Sequence, residues 1–246
     1  MLRWIHFEFS KLRYYKTFWI LVSLYLLMVL GSTKISNFSV NGAQAVSKPA
    51  LIFWIVGFVS QMFLGYLTIL LVCNEFENRT LRQHVINGLG RGEAVLSKLI
   101  LLVLLSLAAI GMVTGMVAVI TITSAGESLP IFELGFQSLN IFLRTFAYVS
   151  MAFLISVLFR SASSSMAVYI SWTIFAEPLL GWLLKRQEIW LADWLPTEVF
   201  SKLLATPFHL TPAPTEAPSS GVYLATLGYI AVFWLLSLVK LERAAL

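Results

Sequence analysis

Charge is scarce in this chain. Only 12% of its 246 residues are Asp, Glu, Lys or Arg, about half the share of an ordinary soluble domain. A fold that meets water on all sides needs more polar exterior than that. Histidine and cysteine are scarcer still. His6, His84 and His209 stand far apart and Cys73 is alone, which excludes an intrachain disulfide and any zinc or haem ligand pattern. The sequence has no H-E-x-x-H, no G-x-S-x-G and neither form of glycine-rich phosphate loop, so by motif it holds no catalytic, metal or nucleotide site and reads as a non-enzyme.

What is abundant is apolar residue: 59% of the chain, with a mean hydropathy of +0.84. Lipid is the natural solvent for such a composition. The net charge of +5 does not point to nucleic acid, because the basic residues flank apolar runs instead of forming a patch interleaved with stacking aromatics.

A bilayer core about 30 Å thick takes about 20 helical residues. Runs of that order with little or no charge occur at 17–33, 50–73, 98–123, 140–159, 166–184 and 222–239. They predict an all-α integral membrane protein, one transmembrane domain over 1–246 with six spans. An even count puts both termini on one side. Placing that side in the cytoplasm puts Arg3, Lys11, Arg13, Lys16, Arg79, Arg82, Arg91, Lys98, Arg160, Lys240 and Arg243 inside, and Lys34, Lys48, Arg144, Lys185, Arg186 and Lys202 outside. The excess inside favours this orientation, with Lys185-Arg186 a mild argument against it.

Residues 1–16 read as an uncleaved, interfacial N-terminal helix. Arg3, His6, Ser10 and Arg13 form one polar stripe on a helix rich in aromatics such as Trp4 and Phe7, suited to lie in the headgroup plane against anionic lipid or a partner. The outer segment 185–221 predicts a short interfacial helix beginning near Pro196, where proline is tolerated, then a proline-rich spacer over 211–220. Asn37-Phe38-Ser39 fits a glycosylation sequon, common by chance.

The stretch 74–95 is the most informative. Glu75 and Glu77 suit the first turn of a short helix, Arg82 and His84 its end, and Glu75 can pair with Arg79 at i, i+4. Gly88 suits the residue after that helix, and Gly88-Leu89-Gly90-Arg91-Gly92 can reverse the chain. With Thr80-Leu81-Arg82 in the middle and Lys98 before span three, this loop resembles that of the membrane subunits of ABC-2-type transporters. Arg79 stands where that family often has glycine. The layout of the whole chain is similar too.

The resemblance implies that 74–95 carries a cytoplasmic coupling helix, with Glu75, Glu77, Arg79, Thr80, Arg82, Gly88 and Arg91 meeting a separate cytosolic ABC ATPase. It implies a second permease copy or homologue as partner, ATP and Mg on the ATPase and no cofactor here, and residence in the cell's inner (plasma) membrane with both termini cytoplasmic.

Two further features carry open alternatives. Gly111 and Gly115 form G-x-x-x-G, which lets helix backbones approach closely, inside one subunit or at a dimer seam. Glu177-Pro178 puts a carboxylate and a helix-breaking residue inside a span. It reads as a substrate-path or gating group, as the mouth of a re-entrant turn, or as a capped kink. The function expected from all this is the permease subunit of an ATP-driven exporter. The alternatives are a secondary transporter or channel, which would call for more charge inside the spans, or a non-transporting membrane enzyme or assembly factor, which would call for clustered reactive groups.

Overall fold

A computed structural model describes residues 15–35, 48–78, 91–123, 131–204 and 218–243, and among them there is no strand. The expected interfacial helix, the sequon, residues 79–90 of the coupling loop and most of the proline-rich spacer lie outside the described residues. The elements are α1 (Lys16–Ile35), α2 (Lys48–Glu77), α3 (Arg91–Thr123), α4 (Ile131–Phe159) and α5 (Ala162–Ser171). A π turn (Trp172–Ala176) then leads directly into α6 (Glu177–Arg186), followed by a 3-10 turn (Trp190–Trp194), α7 (Pro196–Ser201) and α8 (Ser220–Arg243).

Five stretches are long and apolar enough to cross a membrane, in α2, α3, α4, the α5–α6 rod and α8; the apolar part of α1, Lys16–Gly31, is shorter. The chain is a multi-pass helical membrane protein. Helices extend well beyond the charge-free runs: α3 begins at Arg91, not near 98, and α4 at Ile131, not near 140. Backbone groups without water must close their hydrogen bonds within the helix, so a single charge does not end one. Arg144, expected outside the membrane, is therefore corrected to the middle of α4, where it is 7% exposed.

α4 is the hub. It packs against α2 and α8 most extensively, then α3, α5 and α7. Ala147, Ser150, Ala152 and Ser156 are fully buried along it, and such small residues let neighbouring backbones come close in lipid. Trp234 of α8 stacks on Phe153 at 4.4 Å and donates its indole N–H to Ser150 Oγ at 3.0 Å. Five hydroxyls in the spans are satisfied within their own helices: Thr68, Ser106, Ser150, Ser156 and Ser237 each donate to the carbonyl four residues back, which makes them tolerable in an apolar run.

Contacts order the helix ends. Tyr15 before α1, Asn74 and Glu75 of α2, Lys98 of α3 and Ala162 of α5 meet at one end, here the near end. Thr114 of α3 meets Ser138 of α4, and Tyr223 of α8 meets Asn140 of α4, towards the far end. The helices therefore alternate in direction. Large apolar side chains such as Leu27, Phe175, Leu224 and Leu235 point outward and are exposed, as lipid-facing positions require.

Candidate functional site

The near end is built on the last turn of α2. Glu75 and Glu77, expected in the first turn of a separate loop helix, instead sit in the final turn of α2. Carboxylates at a helix C-terminus oppose the macrodipole, and each has a compensating partner from another element. Lys98 of α3 forms a buried ion pair with Glu75. Glu77 Oε1 accepts the backbone N–H of Ala162 at 3.3 Å, capping the start of α5, for which Ser161 provides no side-chain cap. Asn74 donates its amide to the Tyr15 hydroxyl. Arg160, in the turn before α5, adopts φ 56° and lays its guanidinium over the Phe76 ring at 5.7 Å. A left-handed non-glycine residue is uncommon, and the ring contact gives this one a favourable place for its charge. One turn of α2 is thus fastened to α1, α3 and α5.

In the middle, Arg144 Nε donates to Gln61 Oε1 of α2 at 3.0 Å, and Tyr148 stands one turn along α4. Tyr169 of α5 donates its hydroxyl to the Gln61 carbonyl at 3.0 Å. Its ring lies flat against α2 at Gly65: a Cβ there would stand 2.4 Å from the Tyr169 hydroxyl and 2.5 Å from Cζ. Only glycine lets Tyr169 reach this position.

At the far end Glu177 is fully buried. Its Oε2 accepts the Trp172 indole N–H at 2.6 Å and its Oε1 accepts the backbone N–H of Thr197. The carboxylate thus caps α7 from another element, at the end of a helix that favours negative charge. Pro178 has no N–H, so the carbonyl four residues back loses its usual partner. The helix widens into the π turn just before it and continues; it does not stop. The helix expected near Pro196 forms, with Pro196 at its first turn, and one face of it packs against the bundle. Val199, Phe200 and Leu203 are buried, and the Phe200 ring packs edge-on against Tyr148 and Tyr229. Glu177 therefore fastens a segment that packs against α4 and α8. Around it Trp182, Trp190 and Trp194 are exposed beside Lys185 and Arg186, the composition of a membrane interface.

An apolar groove of about 360 Å³ runs between α1, α2 and α5, lined by Leu21, Leu24, Met62, Phe63, Tyr66, Ile69, Met166, Tyr169 and Ile170. Tyr169 thus separates the groove from the buried polar centre.

Of the residues expected to carry function, Glu75 and Glu77 brace helices, and Glu177 with Pro178 fastens α7. Arg91 opens α3, while Arg79, Thr80, Arg82 and Gly88 lie outside the described residues. Gly111 and Gly115 do not pack within the chain: both are exposed and an added Cβ would meet nothing within 4 Å. The core of α3 runs along Leu102, Ala109, Val113 and Val117, a different face. The close approach expected of them occurs at Gly65. Reading from residues alone missed Arg144, Gln61, Tyr148 and Tyr169; a cation inside an otherwise apolar stretch was the available signal. Among the described residues no group of three His, Cys, Asp or Glu could hold a metal.

The profile of the family described as ABC-2 family transporter protein matches residues 4–176. It spans α1 to the end of the π turn and includes 79–90. No individual curated protein matches the chain.

Proposed function

Because this chain belongs to the ABC-2 transporter family, we propose that it is the permease subunit of an ATP-driven exporter. It works as a pair with a second copy or homologue and is driven by a separate cytosolic ATPase that holds ATP and Mg. The observation that carries this reading is the clasp at the end of α2. The stretch 79–90 follows directly from a turn bound to α1, α3 and α5, so a push on it reaches three helices at once. Arg79, Thr80, Arg82, Gly88 and Arg91 are the residues that meet the ATPase, with Glu75 and Glu77 passing the motion on.

α1 is the sixth span. Its 20 residues reach about 30 Å, the thickness of the hydrocarbon core. With Arg144 removed from the outer set, that set falls to Lys34, Lys48, Lys185, Arg186 and Lys202, against the eleven cations at the other side. This supports cytoplasmic termini in the inner membrane. The groove between α1, α2 and α5 is one copy's share of the path, and Gly111 and Gly115 offer a lipid-facing stripe where another helix can approach closely.

Affinity purification of the chain should bring down an ATPase whose turnover depends on it. The double variant Arg79→Glu/Arg82→Glu should insert normally, since these residues lie between spans, yet recover less than a tenth as much ATPase. Undiminished recovery and transport would remove the coupling assignment. Ion conduction by the pure chain in liposomes would replace the exporter with a channel.

A further inference from the structure

Arg144 is a cation in the middle of a membrane-spanning helix, about 20 Å along the axis from each end of α4 at about 1.5 Å per residue. It is 7% exposed. Arginine does not give up its proton in proteins, and an uncompensated charge in an apolar interior is costly. The partner its side chain hydrogen-bonds is neutral, the Gln61 amide oxygen. None of the ion pairs among the described residues includes it. Glu177 is engaged by Trp172 and Thr197, and Glu198 is paired with Lys185.

Two buried side-chain atoms have no hydrogen-bond partner among the described residues: Arg144 Nη1 and Thr145 Oγ1. Both groups carry hydrogens to donate, and they belong to consecutive residues of α4. Thr145 is the exception among the buried hydroxyls of α4, since Ser150 and Ser156 donate back along the helix. The region therefore holds a surplus of donors and a guanidinium that no carboxylate of the described residues pairs with. Water could accept a hydrogen bond there but would leave the charge in place.

We propose that Arg144 and Thr145 form a binding site for one small monovalent inorganic anion, of the size of chloride, in the centre of the bundle. One negative charge neutralises one guanidinium, and a halide accepts hydrogen bonds from several donors at once. Gln61, Tyr148 and Thr145 are all buried, which suits a small ion better than an organic carboxylate or a phosphate ester. Among inorganic anions, chloride loses its hydration far more readily than sulfate or phosphate. The site joins α4 to α2 through Gln61, so its occupancy bears on the stability of the hub.

The test uses the full chain in lipid nanodiscs, with sodium chloride or sodium gluconate at equal ionic strength, and reads both the thermal midpoint and binding of radioactive chloride. At chloride tenfold above its dissociation constant the folding equilibrium should gain about a factor of ten, a rise of roughly 3–5 °C. Binding should saturate at one chloride per chain. Arg144→Met should abolish both effects, and in gluconate it should melt no lower than the parent, because it removes an uncompensated charge. Thr145→Val, nearly isosteric and expected to fold, should weaken chloride binding at least threefold. Equal midpoints and no saturable binding in the parent chain would overturn the proposal, as would undiminished binding in Arg144→Met. A chloride effect present only in Glu177→Gln would also overturn it, since the counter-charge would then be the chain's own carboxylate.

Discussion

At the scale of single residues, three positions decide how the helices meet. Gly65 permits Tyr169 to lie on α2. Gly65→Ala should displace that ring, break its hydrogen bond to Gln61 and cost about 1–3 kcal/mol, read as a lower thermal midpoint in nanodiscs. Gly111→Ala, with open space around it, should leave the midpoint unchanged or raise it slightly; equal losses at both sites would refute the assignment. Glu177 accepts from two N–H groups at once. In Glu177→Gln one oxygen remains to accept and the amide presents a donor to a donor, a loss of about 1–3 kcal/mol. Amide exchange should then quicken over 196–204 and not in α4; unchanged exchange at Thr197 would show that the cap holds nothing. Glu177 was legible in the sequence because a carboxylate in an apolar run is conspicuous. Gly65 was not, since nothing along the chain separates it from Gly57, and only the approach of Tyr169 does.

At the scale of elements, the near-end clasp depends on Lys98 and Glu75 joining α3 to α2. Removing one partner of a buried ion pair is costly, so Lys98→Met should lower stability by up to about 3–5 kcal/mol. The double variant Glu75→Gln/Lys98→Met should recover most of it. A double-mutant cycle with no coupling would mean that the pair does not brace the helices. In sequence the acidic pair suited the beginning of a helix, and that reading misplaced it, because the macrodipole argument considers one helix at a time. Here the stabilising groups come from α3 and α5, and no local pattern announces them. The same holds for α7: its existence and its starting proline were legible, whereas its burial required Tyr148, Tyr229 and Glu177 to be brought together from elsewhere.

For the whole molecule, the proposed six-span arrangement makes a direct claim about sidedness. The lone cysteine is buried, so introduced cysteines report cleanly. In intact cells Lys185→Cys should react with a membrane-impermeant maleimide, while Gly88→Cys should react only after permeabilisation. The reverse pattern would invert the topology and detach 79–90 from any cytosolic ATPase. An odd number of spans would instead leave the two termini on opposite sides, which tags at each end would reveal.

The apolar composition and the spacing of its runs determined, without any structure, that this chain lives in lipid as a set of helices. A backbone in hydrocarbon has few ways to satisfy its hydrogen bonds, and the regular helix is the one these runs allow. Tertiary structure alone decided which polar residues those helices turn inward. Arg144 reads as a boundary when the sequence is divided at its charges, yet a continuous helix carries it to the centre, where Gln61 receives it. Burial of a charge depends on what other helices place beside it, and that information is spread across segments far apart in the chain.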